Sequence, residues 1–503
     1  MSNFKSFKIM KLEIFEKLTL HKKLLFLLCA SFFLLIFMLQ NNILWTVESR
    51  WAAVCLQMQL RSDYLHPYIY NGPYYDKPLL SYWIILMLAK IFGSLNEWAL
   101  RLPSAISGLL TIYCTYKLGS KLINHKTGLL AGWLLLTTFY FVFWSRTTSA
   151  DMMTVAGTML AVLWYFEHKE EHSFRNYFVF FLIMAITSQT KGLLGFVLPL
   201  LVIIPDLFKD REWKQHLNKE SFLGLFLAIF IYLVPFAFSA LYSDQTIHSS
   251  GIQEVIHENI QRFFKPFDHK NPFYTYFIYL PIYTLPWTVF FLPALMHVFL
   301  NWKKYNPQTL ILCKSLAILF AFLTISGSRR SYYVLPLVPF AAIITSNWIM
   351  LISNKDNCKN FKTFVKKTIF IVYIILFIWF GFAKPYYTNM EYQKVRQFTE
   401  SVKKAVKNKN GSWNKYKILV FNNNDNRVVY YFNPKLPVNA ISESELKKVI
   451  MKHKLPNDEI IVATKEDIKT LIFMFDDKYF LTLFENSKNK RSNVAILARA
   501  PDK

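Results

Sequence analysis

The sequence is poor in cysteine, in glycine and in acidic residues. Its five cysteines lie singly, without C-x-x-C or metal-ligand spacing, and none follows residue 384. They are Cys29, Cys55, Cys114, Cys313 and Cys358. Disulfides therefore cannot hold the C-terminal region, whose stability must come from an ordinary core. That region also has no nucleotide-binding glycine pattern, and the chain has no repeat of the solenoid type.

Charge is scarce throughout the chain. Only 18% of the 503 residues are charged, whereas 53% are hydrophobic and 17% are aromatic, which excludes an ordinary soluble protein of this length. Apolar runs of about 17–25 residues, the length that crosses a bilayer, recur between residues 24 and 384. We therefore expect a polytopic membrane protein. No small-residue cleavage site follows the first run, Leu24–Leu39, so we interpret it as an uncleaved span.

The distribution of charge predicts the orientation of the spans. Charged breaks predict about eleven to thirteen transmembrane helices. The pattern resolves runs at 24–40, 98–119, 128–145, 150–166, 176–190, 192–207, 221–242, 273–299, 309–326, 332–352 and 368–384. Alternate short connections hold many of the 58 basic residues, which the positive-inside rule makes cytoplasmic. The N-terminus is then cytoplasmic, and the loop 41–97 and the C-terminal tail are extracytoplasmic. The net charge of +26 reflects this orientation or a lysine-rich composition, and we expect no nucleic-acid partner.

Two domains are expected, a transmembrane domain over 1–384 and a soluble domain over 385–503. In the soluble domain, short apolar runs at 417–421, 459–463, 480–484 and 494–498 are typical of strands, and the amphipathic stretch 443–453 predicts a helix. The asparagine-rich stretch 422–426 is expected to be a turn. This gives an all-α polytopic membrane protein with a small α/β extracytoplasmic domain at its C-terminus.

The stretch from Glu48 to Trp83 is expected to be a long polar and aromatic outer loop, with 79–93 lying along the membrane interface. Uncompensated charge beside a membrane is costly and usually functional. The predicted topology places a set of polar residues at outer loops and outer span ends. The set is Glu48, Arg50, Asp76, Lys77, Asp151, Lys191, Arg262, His269, Arg329, Arg330 and Tyr333. Each taken alone has an ordinary reading as a lipid-anchoring or solvated side chain; their gathering on one face predicts a substrate site.

Seven short motifs occur in order along residues 40–350. They are ESRW at 48–51, YYDKPLLSYW at 74–83, NEWALRLP at 96–103, SADM at 149–152, QTKG at 189–192, NIQRF at 259–263 and RRSYYVLP at 329–336. This ordered set resembles the lipid A aminoarabinose transferases and the wider dolichyl-phosphate-mannose protein mannosyltransferase superfamily. The resemblance implies a C-class glycosyltransferase fold in a bacterial inner membrane, with the active site and the C-terminal domain facing the periplasm.

The same resemblance implies an inverting enzyme that takes a sugar, aminoarabinose or a similar amino sugar, from undecaprenyl phosphate. The acceptor is expected to be a lipid A phosphate. Cationic and phenolic side chains would hold the donor phosphate: Lys77, Lys191, Arg262, Arg329 and Tyr333. Glu48, Arg50 and Asp151 would orient the sugar and the acceptor as catalytic residues. Asp151 has an alternative reading as the N-cap of its span.

A zinc ion is also implied by the resemblance, with Asp76 and His269 as its protein ligands. One carboxylate and one imidazole suit zinc when water or a substrate oxygen completes the site. His269 lies one residue closer to Arg262 than the family pattern places it.

Val47 is the clearest departure from the family pattern, which has Asp at this position before Glu48. In protein mannosyltransferases that Asp is the expected base for a hydroxyl acceptor, because a free hydroxyl is a poor nucleophile near neutral pH. A phosphate monoester has a second pKa near 6 and is already ionised at pH 7. The substitution therefore favours a phosphate acceptor, with Glu48 as a partial replacement.

Two alternatives remain at the level of the sequence. The enzyme could transfer another sugar to a protein or a glycan, since enzymes of the superfamily share the donor apparatus. The loss of Asp at position 47 is also compatible with a catalytically silent relative that binds or translocates the lipid carrier.

Overall fold

The structure is a computed structural model that describes residues 19–242, 270–354, 359–408, 412–421, 426–451, 458–464, 479–484 and 493–498. Arg262 and His269 lie outside these residues, as does 422–425 of the expected turn. The chain divides into two compact units. The helical unit comprises 1–39, 101–234 and 255–381, and the mixed unit comprises 40–100, 235–254 and 382–503. The expected domain boundary at residue 384 stays a prediction.

Helices account for most of the described chain. In chain order they are α1 Leu20–Ile36, α2 Thr46–Arg61, α3 Leu79–Ile91, α4 Glu97–Leu122, α5 His125–Leu136, α6 Phe139–Ser145, α7 Ala150–His168, α8 Phe174–Lys191, α9 Leu194–Leu207, α10 Lys219–Leu241, α11 Thr275–Tyr283, α12 Thr288–Leu300, α13 Pro307–Ile325, α14 Val338–Ser353, α15 Lys359–Ile378, α16 Lys384–Asn408, α17 Asn426–Phe432 and α18 Glu443–Met451. Short 3-10 segments cover Lys209–His216, Trp302–Lys304, Ser331–Leu337 and Trp413–Lys415, and a π-helical turn covers Trp379–Ala383.

Side-chain caps set the beginnings of several helices. Asn124 and Asn306 each accept the backbone N–H three residues later, at 2.9 Å, which satisfies a donor that the first helical turn leaves free. Pro307 follows Asn306 at the first helical position, where its missing N–H costs nothing. The sequence therefore encodes these boundaries locally.

The chain is a multi-pass membrane protein, and the expected all-α membrane fold with a small C-terminal sheet is confirmed. Four helices of the described residues are long and apolar enough to span a bilayer: Lys219–Leu241, Pro307–Ile325, Ser331–Ser353 and Asn360–Met390. Two bent pairs raise the number to six, α5 with α6 at 70° and α11 with α12 at 117°. The runs 128–145 and 273–299, each expected as one span, are thus broken helices. The first break falls at Thr137–Thr138, whose hydroxyls donate to the carbonyls of Trp133 and Leu134. The second falls near Pro286, which has no N–H with which to continue a helix.

One expectation about the outer segment is wrong. Glu48 to Arg61 is not a loop but most of α2, and Trp51 to Met58 are buried along it. The apolar residues of that stretch pack inside the mixed unit and form a helix. The polar residues on either side of the stretch had favoured a loop. The helix 79–91 agrees with the apolar segment expected there, and a short hairpin, β1 Tyr68–Ile69 with β2 Gly72–Pro73, lies between the two helices.

The C-terminal sheet has five strands in the order β4-β3-β5-β7-β6. The strands are β3 Lys417–Phe421, β4 Asn439–Ile441, β5 Glu459–Thr464, β6 Tyr479–Phe484 and β7 Asn493–Ala498. β3 pairs in parallel with β4 and β5, whereas β7 pairs antiparallel with β5 and β6. The four expected strands and the expected helix at 443 are all present. The sequence did not reveal β4 or α17, which are short.

Candidate active site

Glu48 lies in the first turn of α2 and is 2% exposed. Its Oε2 atom accepts the backbone N–H of Trp45 at 2.8 Å, so the carboxylate helps to cap the helix. A carboxylate in the first turn also interacts favourably with the helix dipole. The position therefore has a structural role besides the catalytic role expected from the sequence.

Arg50, Tyr74, Asp76 and Lys77 form a chain of polar contacts in the mixed unit, here called the loop cluster. Arg50 Nη1 donates to Tyr74 Oη at 3.0 Å, and Tyr74 Oη donates to Asp76 Oδ2 at 3.2 Å. Lys77 Nζ lies 2.9 Å from Asp76 Oδ1 and donates to the Asp76 carbonyl at 2.8 Å. An ammonium has three N–H donors, so among the described residues one N–H of Lys77 remains beyond these two bonds.

Tyr74 links the arginine to the carboxylate, a role that the sequence did not suggest. Burial and the neighbouring Asp76 raise the pKa of Tyr74 to about 12. The hydroxyl therefore keeps its proton near neutral pH and can donate to Asp76 while it accepts from Arg50. The signal in the sequence was the YYDKP motif itself, in which Tyr74 stands two residues before Asp76.

Helix packing within the mixed unit places the loop cluster. The Trp51 ring lies 4.9 Å from the Tyr82 ring, centroid to centroid, and joins α2 to α3. Arg50 precedes Trp51 on α2, and Lys77 precedes Pro78, the residue before α3. The contact between the two aromatic rings thus joins α2, which carries Arg50, to α3, which begins two residues after Lys77.

Asp151 and Lys191 form an ion pair in the helical unit, where Lys191 Nζ donates to Asp151 Oδ1. Each side chain is 11% exposed, and the residues come from different helices. Ser149, and not Asp151, is the N-cap of α7, since its Oγ accepts the Asp151 N–H at 3.2 Å. The alternative reading of Asp151 as the cap is therefore wrong, and its carboxylate is directed to the lysine.

The pair depends on close contact between α7 and α8. A Cβ atom added at Gly157 would lie 1.9 Å from Thr187 Oγ1, so only glycine permits this approach. Lys191 ends α8, and Gly192 follows with φ of 94°, a conformation that glycine adopts readily. These two glycines bring the lysine and the aspartate of neighbouring helices together.

Tyr332 and Tyr333 complete what we call the span-end cluster, with Asp151, Lys191 and Arg330. Lys191 Nζ lies 4.5 Å from the centre of the Tyr333 ring and 5.9 Å from that of Tyr332. Arg330 Nη1 donates to Tyr332 Oη at 2.6 Å. Cations near aromatic faces gain electrostatic stabilisation, most of all where water is excluded. The structure thus brings together Asp151, Lys191 and Tyr333, all three of which the sequence predicted.

Arg329 contacts backbone carbonyls. Its Nε and Nη2 donate to the Thr324 carbonyl at 3.1 and 2.9 Å, and Nη1 donates to the Asn271 carbonyl at 2.8 Å. It therefore caps the end of α13 and ties it to the chain before α11. Sequence reasoning selected Arg329 for the donor phosphate, whereas Arg330 is the neighbour that contacts Tyr332.

The described residues offer no complete metal site. Among them, no group of three or more His, Cys, Asp or Glu side chains is placed to hold a metal ion. Asp76 is engaged with Tyr74 and Lys77, and His269 lies outside the described residues. Zinc binding by Asp76 and His269, like phosphate binding by Arg262, stays a prediction.

Comparison with known proteins finds similarity to the glycosyltransferases that the motifs resemble. Residues 76–238 match the family model for dolichyl-phosphate-mannose-protein mannosyltransferase. The chain is 28% identical over 376 residues to an uncharacterized protein of Aquifex aeolicus, covering 72% of this chain and 71% of that protein. It is 25% identical over 339 residues to the undecaprenyl phosphate-alpha-4-amino-4-deoxy-L-arabinose arabinosyl transferase of Pseudomonas paraeruginosa, covering 63% of this chain. The match spans 58% of that relative, less than two thirds of its length.

Solved structures share the fold. ArnT from Cupriavidus metallidurans, bound to undecaprenyl phosphate, superposes with a TM-score of 0.72 at 16% identity, covering 94% of this chain and 97% of ArnT. The Archaeoglobus fulgidus oligosaccharyltransferase superposes with a TM-score of 0.54 at 11% identity, covering 92% of this chain and 70% of that one. At these identities the superpositions show the fold, which is the C-class membrane glycosyltransferase fold expected from the resemblance.

The family model, the named relatives and the fold agree with one another. Together they confirm the resemblance to the ArnT-like and protein mannosyltransferase superfamily. They also confirm the enzyme class, a glycosyltransferase that depends on a polyprenyl-phosphate sugar.

Proposed function

From its place in this superfamily of membrane glycosyltransferases, we propose that the chain transfers an amino sugar of the aminoarabinose type from undecaprenyl phosphate to a lipid A phosphate. The reaction would take place at the periplasmic face of the inner membrane. Relatives named as aminoarabinose transferases support the donor and the sugar. Val47 supports the acceptor, because an ionised phosphate needs no base at that position.

The loop cluster is the observation that carries the proposal. In the reaction, an acceptor phosphate oxygen bonds to the anomeric carbon while the bond from that carbon to the donor phosphate oxygen breaks. The departing undecaprenyl phosphate keeps the electron pair and gains one negative charge. Lys77, with a donor beyond its bonds to Asp76, is suited to stabilise that charge as it develops. Attack on the face opposite the leaving group inverts the anomeric centre.

The other predicted residues would orient the sugar, the acceptor or the donor phosphate in the same reaction. Arg50 holds the loop cluster through Tyr74 and orients the sugar or the acceptor, and Glu48 orients the start of α2. Asp151 would bind a sugar hydroxyl or amine beside Lys191. Lys191, Arg262, Arg329 and Tyr333 stay candidates for the donor phosphate.

Lipid A mass spectrometry tests the function directly. Lipid A from the native strain should carry an added amino-sugar mass that disappears when the gene is deleted and returns with the wild-type gene. A Lys77→Ala gene expressed to the same level should not restore it. An unchanged lipid A spectrum in the deletion strain would contradict the proposal, and a lost sugar on a protein or another glycan would favour the alternative acceptors.

A further inference from the structure

The C-terminal sheet and the outer segment 40–100 share one hydrophobic core inside the mixed unit. Ile43 and Tyr70 of the segment are 7% and 5% exposed and belong to the same cluster as Val428, Phe432 and Val438. The segment that carries the loop cluster is therefore built into the C-terminal domain. Its position depends on side chains nearly 400 residues further along the chain.

Two adjacent tyrosines of α17 hold both ends of that segment. The Leu44 backbone N–H donates to Tyr431 Oη at 3.1 Å, and Tyr431 Oη donates to Glu97 Oε1 at 3.0 Å. Tyr430 Oη donates to the Leu95 carbonyl at 2.8 Å. Burial and the charge of Glu97 raise the pKa of Tyr431, so its hydroxyl stays protonated and can serve both partners. One phenol thus joins the entry of the segment to its exit.

The middle of the segment is held by the same domain. Tyr70 Oη donates to Asn426 Oδ1 at 2.6 Å. The Asn71 side-chain amide donates to the Ala440 carbonyl at 3.0 Å and accepts the Ala440 N–H at 3.2 Å. Asn71 lies in the turn of the hairpin, and Tyr74, the central residue of the loop cluster, directly follows β2.

Helix α2 is tied to β4 and to the residue that precedes it. Gln57 Nε2 donates to the Val438 carbonyl at 2.6 Å, and both residues are buried. Arg61 Nη2 donates to Asn439 Oδ1 at 3.3 Å and to the Tyr70 carbonyl at 2.8 Å. Arg50 is on α2, and Lys77 follows the hairpin that contains Asn71. Both α2 and this hairpin are hydrogen-bonded to residues 438–440.

We infer that the C-terminal domain is a clamp that sets the distance between Arg50 and the Tyr74–Lys77 turn, with Tyr431 and Asn71 as its positioning residues. Its consequence for catalysis rests on the proposed function, in which Lys77 holds the donor phosphate. Neither Tyr431 nor Asn71 belongs to the loop cluster, so both act through the backbone that they hold.

Tyr431→Phe in the full-length chain tests the clamp. The variant removes the hydroxyl but keeps the ring, which packs 5.4 Å from the Tyr392 ring. Tyr387→Phe is the matched control, because Tyr387 is 66% exposed on α16. Hydrogen exchange needs no substrate: we expect exchange at least tenfold faster in peptides covering 41–47 and 66–78 with Tyr431→Phe, and no change with Tyr387→Phe. The β3 peptide, 417–421, should exchange as in the wild type, which reports that the domain is still folded.

Transfer kinetics provide the second readout. A positioning role predicts that Tyr431→Phe raises the KM for the lipid donor about fivefold to tenfold with a smaller change in kcat. A merely destabilising role lowers the active fraction, which reduces apparent kcat and leaves KM unchanged. If the wild type transfers no sugar, the proposed function is wrong. The hydrogen-exchange experiment still tests whether the C-terminal domain holds the outer segment, because it needs no substrate.

Unchanged exchange at 66–78 in a folded Tyr431→Phe variant would overturn the inference. If that variant also loosens β3, Asn71→Ala decides the matter. Asn71 is exposed, so the variant should fold, and we expect faster exchange at 66–78 alone together with a raised donor KM. If the peptide 66–78 of Asn71→Ala exchanges at the wild-type rate, the inference that the C-terminal domain acts as a clamp is overturned.

Discussion

Both clusters contain a lysine in contact with an aspartate, but each builds the pair differently. In the loop cluster Asp76 and Lys77 are neighbours in sequence, with side chains 25% and 20% exposed. In the span-end cluster Asp151 and Lys191 come from two helices, each side chain 11% exposed. The first pair needs no tertiary structure to meet, whereas the second exists only because α7 and α8 pack closely at Gly157.

The difference in burial suggests that one ion pair can bind a substrate whereas the other stabilises the fold. The more exposed pair costs less to open than the buried one, so Lys77 can exchange Asp76 for a phosphate more readily than Lys191 can leave Asp151. Breaking a buried pair by removing one partner is strongly destabilising, because the other charge is left without compensation. We therefore expect Lys77 to act on the substrate and Lys191 to act on the structure as well as on the substrate.

The largest expected effect is a loss of transfer activity, without a loss of stability, when Lys77 is replaced. Lys77→Ala should lower transfer about 100-fold to 1000-fold, the usual cost of removing one group that stabilises developing charge. Its thermal midpoint should stay close to that of the wild type. Lys90→Ala, at an exposed lysine of α3, is the matched control and should keep full activity. Equal losses in the two variants would contradict a specific role for Lys77.

A double-mutant cycle examines the buried pair. Lys191→Met should reduce both activity and stability, with about 3 kcal/mol of destabilisation because Asp151 is left charged and buried. Adding Asp151→Asn should restore much of the stability, since the pair is then neutral, but not the activity. Thermal unfolding and transfer assays measure the two quantities. If the double variant is as unstable as the single one, the pair does not hold these helices as described.

Tyr74→Phe examines the link inside the loop cluster. It removes the contacts to Arg50 and Asp76 and should lower transfer about tenfold, as expected for one or two hydrogen bonds to charged groups. The pKa of Tyr74 is raised to about 12, so the protonated hydroxyl is the form that the fold stabilises. That contribution is complete below pH 10, near the ordinary tyrosine pKa, and is lost only as pH rises through 12. The ratio of wild-type to variant activity should therefore be constant from pH 6 to pH 9, and a ratio that changes across this interval would contradict the assignment.

Glu48→Gln should have the smallest effect. The amide oxygen can still accept the Trp45 N–H, so the helix cap remains and only the charge is removed. Because a phosphate acceptor is already ionised, we expect transfer within threefold of the wild type. A loss of 100-fold or more would instead make Glu48 the base and favour a hydroxyl acceptor.

The sequence predicted best what is encoded locally. Strands β3 and β5 follow from short apolar runs. The contact of Asp76 with Lys77 was not predicted, although the two residues are adjacent in sequence. The topology predicted that Asp151 and Lys191 share a face, but their pairing depends on glycines that bring two helices into contact. Whether Arg329 or Arg330 meets Tyr332 could not be deduced, since neighbouring side chains point in directions that only the backbone decides. Helix α2 was missed because its buried face packs against α17, more than 360 residues away in sequence.

The Asn71 side chain has a consequence for the solubility of the C-terminal domain. β4 is one of the two edge strands of the described sheet, and the amide of Asn71 occupies the N–H and the C=O of Ala440 that an added strand would use. A fragment that begins at residue 382 would lack this cover as well as Ile43 and Tyr70. Such a fragment should self-associate through β4, so the domain is best produced together with the segment that it holds.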